Sequence, residues 1–408
     1  MLDLLKVGDW IYASGIISDV KSGGVTTGGF HNIFRFSVST HKLDTTWKPH
    51  LYKSATSYRD APVTGLAANA DGSVIYAAGA FTTASSGPGG SGVQRKGLAA
   101  ITAAGAISSF NARVCSGGGA CVVNDVLLVG RNLWLGGSFD HIAGQTRKAL
   151  GSVDPSTGAL TSAVSVPISG VVTTTTGTKV AQISVNPQQT RAAVIGNFAQ
   201  VGGKTHKEVV LLAINASGGS TSASPWNAPT HLDASESQCS DKDTWARGVD
   251  WDPTGQFFNI AASGGGGFDA YPALCDSYTR FKGDDNANAV PMIVNATGFD
   301  SLFTVCDTGD YVYTGGHNKN LNHAVRINGV KVRATQQTHY GIGAITVKPS
   351  DPNYGKAVLA WNNSSETGRG AGWASCLSDS GSGVYIGGDA TNVNGDPAIQ
   401  RLAFFPAG

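Results

Sequence analysis

The sequence predicts an all-β fold, a seven-bladed β-propeller of four-stranded antiparallel blades that takes in residues 1–408 as one domain. Three observations predict it. The first is composition: 55 of the 408 residues are Gly, only 14% are charged, and of 28 acidic residues only Glu208, Glu236 and Glu366 are Glu. Asp and Gly suit turns where Glu suits helices, so the chain is written for strands and turns. The second is a run of aromatic or apolar residues, closed by Gly and often followed by Phe, that returns seven times. The third is the constant order of apolar segments around each return.

In chain order the returns are Trp10-Ile11-Tyr12-Ala13-Ser14-Gly15, Tyr76-Ala77-Ala78-Gly79-Ala80-Phe81, Trp134-Leu135-Gly136-Gly137-Ser138-Phe139 and Ala193-Val194-Ile195-Gly196-Asn197-Phe198. A degenerate copy, Phe257-Phe258-Asn259-Ile260, runs into Gly264 to Gly267, and Tyr313-Thr314-Gly315-Gly316 and Tyr385-Ile386-Gly387-Gly388 complete the set. The spacing of about 62 residues exceeds the ~40–50 of familiar propeller repeats, and the surplus falls in loops such as Ser85 to Gln94 and Thr230 to Lys242. An apolar strand precedes each Gly strand (Val63 to Ala68, Val122 to Val129, Ala181 to Val185, Leu302 to Cys306). A third follows it, as in Leu98 to Ile101, Ala149 to Val153, Val209 to Ile214 and Arg401 to Phe405. A turn such as Asp154-Pro155-Ser156-Thr157-Gly158 then leads to a weaker fourth strand, for example Leu43 to Trp47. A single such sheet cannot bury both faces, so repeats stack. The chain ends after the third strand of its last repeat, which leaves open whether neighbouring blades or a strand from another molecule complete the ring.

Several function classes fall away at this stage. A net charge of +1 is not that of a basic nucleic-acid binder. No run of about 18 apolar residues predicts a transmembrane helix, and 41% hydrophobic residues supply a core that a disordered chain lacks. There is no G-x-S-x-G elbow, H-E-x-x-H or P-loop. Met1-Leu2-Asp3-Leu4-Leu5-Lys6-Val7 does not read as a secretory signal, although six cysteines in a charge-poor, Gly-rich chain fit an oxidising exterior.

Cys115 and Cys121 flank a Gly-rich turn and are expected to bridge its arms, while Cys239 and Cys275, bracketing two strands of the fifth repeat, are expected to pair and to stabilise by about 3–4 kcal/mol. Cys306 and Cys376 occupy equivalent first-strand positions of neighbouring repeats. They read as buried thiols packing as small apolar residues, with a disulfide as the alternative. With no C-x-x-C, no zinc site of that type is expected. Asp284-Asp285-Asn286-Ala287-Asn288 alternates oxygen donors as calcium loops do, but Ala289 and Asn295 stand where Gly and Glu are required, so it reads as a solvated loop. No metal and no cofactor are expected.

Glycoside hydrolysis needs two carboxylates at a set separation. Asp125, Asp140, Asp250 and Asp310 lie at strand ends, where Asp also caps turns; no catalytic residue is assigned, and an enzyme is the lesser reading. Trp47 and Trp134 are expected to pack within blades. Trp226, Trp245, Trp361 and Trp373 lie near longer connections, where packing competes with stacking on a sugar.

These motifs resemble a glycine-rich, kelch-like propeller family of actinobacterial secreted proteins and of the minor tail proteins of actinobacteriophages. Gly137 to Leu160 and Gly196 to Gly218 fit its repeat best, and Trp47-Lys48-Pro49 matches its repeat ending. Trp251-Asp252-Pro253-Thr254-Gly255 with Cys275-Asp276 and Arg280-Phe281 is similar to its atypical fifth blade. Tyr313 to His317, and Tyr385 to Asp389 with Arg401 to Pro406, are similar to its last two. The resemblance implies a non-enzymatic virion component at the phage tail. Its expected partners are other tail proteins and host-envelope glycans, met through loops such as Thr230 to Lys242 and His317 to His323. The alternatives are a secreted surface propeller that binds glycans or proteins, and a polysaccharide-degrading propeller. Neither nucleic acid nor membrane insertion is expected. Near-zero net charge adds the expectation that contact depends little on salt.

Overall fold

A computed structural model describes residues 1–53, 59–115, 121–174, 176–232, 245–264, 274–359, 373–379, 382–390 and 401–406. Strands dominate, and the helix among these residues is the four-residue Pro229–Leu232. The chain divides into two compact units, Met1–Ile168 with Asn215–Thr221, and Ser169–Ile214 with Ser222–Gly408.

Among the described residues seven antiparallel sheets share one plan, each with the strand of the repeated motif between two others. In the first unit these middle strands are Trp10–Ser14, Val74–Gly79 and Asn132–Ser138. In the second they are Arg191–Asn197, Phe257–Ser263, Tyr311–Gly316 and Gly383–Gly388. The apolar strands before them also repeat a feature that composition does not reveal. In six of the seven sheets the first strand slips register at an equivalent place, bulging at Thr64, Asn124, Ala181, Arg247, Phe303 and Ala374. A bulge leaves one residue out of the ladder and bends its strand.

The bulge explains the recurring Gly. A Cβ at Gly79, Gly137, Gly196 or Gly316 would collide with the carbonyl oxygen of Pro62, Val122, Lys179 or Ser301, the residue that leads into each bulged strand. The motif is thus a steric requirement of one backbone arrangement made several times over.

The fourth strands are weaker than the sequence suggests. Beside the first, second, third and sixth sheets the predicted strand is a single bridge: Phe36 to Leu43, Ile101 to Ile107, Val153 to Leu160 and Ile345 to Ala357. The Leu43 to Trp47 segment shows why. Asp44 Oδ1 accepts the N–H groups of Thr46 (2.8 Å) and Trp47 (3.1 Å), turning the chain away from the ladder. The fourth and fifth sheets do carry a fourth strand; in the fifth, Ile293–Ala296 continues into Ala324–Ile327 and Val330–Val332, making six strands.

Apolar side chains meet between consecutive sheets within each unit. Tyr12, Trp47, Leu66 and Phe81 join the first and second, and Phe110, Val126 and Leu135 the second and third. Trp226, Trp251, Phe258 and Phe281 lie between the fourth and fifth, with smaller clusters beyond. Within each unit, neighbouring sheets bury the faces they turn to one another, the nearest-neighbour logic of a repeat protein.

Candidate functional site

The expected stacking tryptophans separate into two kinds. Trp226 is fully buried among Phe258 (5.1 Å between ring centroids) and Phe281 (5.4 Å), so it is a core residue. Trp47 and Trp134 are core as well, with indole N–H groups donating to Thr102 and Gly218 carbonyls. Trp361 lies outside the described residues, and of Trp373 only the strand is described. Trp245, at the start of strand Trp245–Trp251, is half-buried and differs from the core group.

Two cations lie against its ring. Arg247 Cζ is 4.2 Å and Lys179 Nζ 4.9 Å from the ring centroid, and Arg247 is also 5.9 Å from the Phe303 ring. The bulges place these groups: Arg247 and Phe303 are the extra residues of neighbouring first strands, turned out of the ladder at equivalent positions. Gly248, the next residue, lets the strands approach, since a Cβ there would stand 2.8 Å from Thr304 Cα. Phe303 meets the exposed His317 edge-on at 5.0 Å. Burial pulls the pKa of both Lys179 and Arg247 down; the Arg247 charge adds to the effect on Lys179, while buried Glu208 opposes it at Arg247. Sequence reasoning singled out Trp245 but missed Lys179, Arg247 and Phe303, whose spacing shows no motif until the bulges are known.

The carboxylate candidates fare differently. Asp140 contacts His141 (3.0 Å) in an exposed turn, and Asp310 pairs with exposed Lys348 at 3.1 Å. Asp125 stands near Asp3, which sequence reasoning did not single out. Protein surrounds the Asp3 carboxyl, and burial, aided by the Asp125 charge, pushes its pKa up to about 8. Its Oδ2 accepts the Leu66 N–H at 2.6 Å, so it also ties the first strand of the first sheet to that of the second. Asp250 is pushed up to about 7, chiefly by burial, with Asp307 adding; its Oδ2 accepts the Asp307 N–H at 2.9 Å. Asp307 in turn pairs with buried Arg280 and accepts from Asn259 Nδ2 (2.9 Å), while Asn259 Oδ1 receives Tyr278 (2.8 Å) and Arg280 (2.9 Å). This network stitches the fifth sheet to the sixth.

The Asp284 to Asn288 loop spends its oxygens locally. Asp284 and Asn286 accept the N–H groups two residues on, and Asp285 binds Arg191 (2.8 Å) and Ser224 (2.6 Å). Among the described residues no group of three or more His, Cys, Asp or Glu is placed to hold a metal ion.

Cys115 and Cys121 form a disulfide across their short turn. Cys275 is disulfide-bonded, and Cys239 lies outside the described residues. Cys306 and Cys376 are joined, with Cα atoms 5.7 Å apart, which corrects the buried-thiol reading: first strands of consecutive sheets pack side by side, so equivalent positions come within bonding reach. Disulfides persist in oxidising compartments, and they suggest an extracellular or secreted protein. No helix among the described residues is long and apolar enough to cross a membrane.

No family model and no curated protein matches the chain. Among solved structures, the Kuenenia stuttgartiensis hydrazine synthase is similar at a TM-score of 0.48 and 10% identity, over 100% of this chain and 95% of that one. A likeness of that degree carries neither fold nor activity across.

Proposed function

We propose that the seven repeated sheets are the blades of one seven-bladed, kelch-like β-propeller, and that it serves attachment without chemistry, as a minor tail protein of an actinobacteriophage. The recurring bulge-and-glycine plan supports the propeller reading, since similar sheets that bury their faces on neighbours are what a ring is made from. The observation that carries the attachment reading is the contrast between two sets of polar groups. Asp3, Asp250 and Asp307 accept backbone N–H groups or buried partners inside the sheets. Lys179 and Trp245 instead begin their strands and Arg247 is turned out at a bulge, positions where binding groups vary without disturbing the core. Other tail proteins and host-envelope glycans are the expected partners. The disulfides favour a second reading, a secreted actinobacterial surface propeller.

The raised acid Asp3 beside Asp125 is what a polysaccharide-degrading enzyme would use, and it keeps that third reading in play. Electron microscopy of particles from the native source, labelled with antibody to this chain, tests the tail assignment. Label confined to tail tips supports it; label only on intact bacterial surfaces replaces it with the secreted reading.

A further inference from the structure

Among the described residues three arginines lie over aromatic rings, and their remaining bonds distinguish them. Arg35, 4.3 Å from the Trp10 ring, is bound by Asp44 (2.7 Å), the Ala103 carbonyl (2.9 Å) and Tyr12 (3.1 Å). Arg280, 4.7 Å from Phe257, is held by Asp307 and Asn259. Both are paired with a carboxylate, which offsets the cost of drawing the charge out of water. Arg247 donates to no carboxylate among the described residues. Its Nε donates to Ser263 Oγ at 2.8 Å, but its two terminal nitrogens donate to no described group. Lys179 Nζ, on the same indole, likewise makes no hydrogen bond or ion pair among the described residues. The buried Trp245 Nε1 is a third donor without a described partner.

We propose that Lys179 and Arg247, held on Trp245, form a subsite for the oxyanion of an acidic glycan, a carboxylate or phosphate carried on a sugar polymer. This rests on the attachment reading and names its ligand class. Two like charges that burial disfavours are costly to keep together, and Glu208 offsets one of them. An anion bridging them relieves the repulsion and supplies the missing acceptors. The guanidinium edge matches a carboxylate or phosphate in two-point geometry, and charge-assisted bonds of this kind are about twice as strong as neutral ones. The ring bed fixes both cations in advance, which lowers the ordering cost of binding. A chain-wide net charge of +1 does not register so local a pair, so this contact, unlike the expectation from net charge, weakens with salt.

The test is calorimetric titration of the whole chain with three polymers of equal length: a glucuronate oligosaccharide, a phosphorylated glucan and the same glucan without phosphate. Host-envelope polysaccharide is run alongside. At least one acidic polymer binds and the neutral glucan does not, and the order of the two acidic polymers identifies the carboxylate or phosphate source. Lys179→Gln with Arg247→Gln lowers that affinity tenfold or more, with the melting temperature within 2 °C of the parent, roughly the shift that surface changes cause. Undiminished binding by the double variant, binding of neither acidic polymer, or equal binding of the neutral glucan overturns the proposal. If the envelope polysaccharide still binds in any of those cases, the attachment reading stands without this subsite. If it does not bind at all, that reading falls as well.

Discussion

Gly137 lies over the carbonyl oxygen of Val122, leaving no room for a Cβ at its position. The obstacle is backbone paired in the ladder with the strand that carries Gly137, so it cannot yield as a flexible side chain would. Gly137→Ala is expected to cost about 2 kcal/mol or more, in the range of overpacked sites, read from the urea midpoint. Gly177→Ala, with nothing within 4 Å and no left-handed backbone to strain, is expected to stay within about 0.5 kcal/mol. Equal effects at the two positions would remove the steric account of the repeat.

The Cys306–Cys376 bridge closes a far longer stretch than Cys115–Cys121, a separation of 70 residues against 6. By the chain-entropy model the longer loop contributes about 4 kcal/mol and the shorter about 2. Replacing both members of each pair by Ala and comparing denaturation under oxidising conditions should therefore rank the 306/376 variant as the weaker. The reverse order would mean that native-state packing, rather than the loop closed, sets their worth.

Arg280 and Asp307 are both buried, and removing one leaves the other charged without its partner. Arg280→Leu is expected to cost about 3–5 kcal/mol. Lys348→Ala, which breaks an exposed pair with Asp310, is expected to cost under about 1 kcal/mol. Thermal denaturation of the two variants checks the contrast.

Stability should also depend on pH on both sides of neutrality. Asp3 and Asp250 have pKa values raised from 3.8 to about 8 and about 7, so across that window the folded chain holds protons the unfolded chain has lost. Their contribution is complete below 3.8 and fades as pH rises through those values. Burial lowers the pKa of His31, His50, His206 and His339, so their contribution is lost instead as pH falls below 6.5. A calorimetric series from pH 5 to 9 is expected to show a maximum between these limits. Asp3→Asn with Asp250→Asn should flatten the alkaline limb and steepen the acid one, because Asn imitates the protonated acid at every pH; an unchanged alkaline limb would place the titration elsewhere.

How far the sequence carried this reading depends on what each feature rests on. The middle strands were legible because steric exclusion leaves one residue type at Gly79, Gly137, Gly196 and Gly316, and repetition makes that visible. The bulges were not, since the extra residue is Thr64 in one sheet, Arg247 in another and Phe303 in a third, with no shared chemistry to mark it. The same blindness hid the site around Trp245, whose cations come from the first strands of two different sheets. Fourth strands were overstated because a segment like Leu43 to Trp47 has strand composition while Asp44 bends it locally. Cys306 and Cys376 were aligned by the repeat, yet their pairing needed the lateral packing of consecutive first strands.

The central claim is attachment without turnover. It is tested most directly by incubating the purified chain with cell-envelope polysaccharide of an actinobacterial host while following bound polymer and new reducing ends together. The account predicts polymer retained on the protein and no reducing ends above the protein-free control. Release of shorter sugars that Asp125→Asn abolishes would contradict it, and would make Asp3 and Asp125 the acid pair of an enzyme.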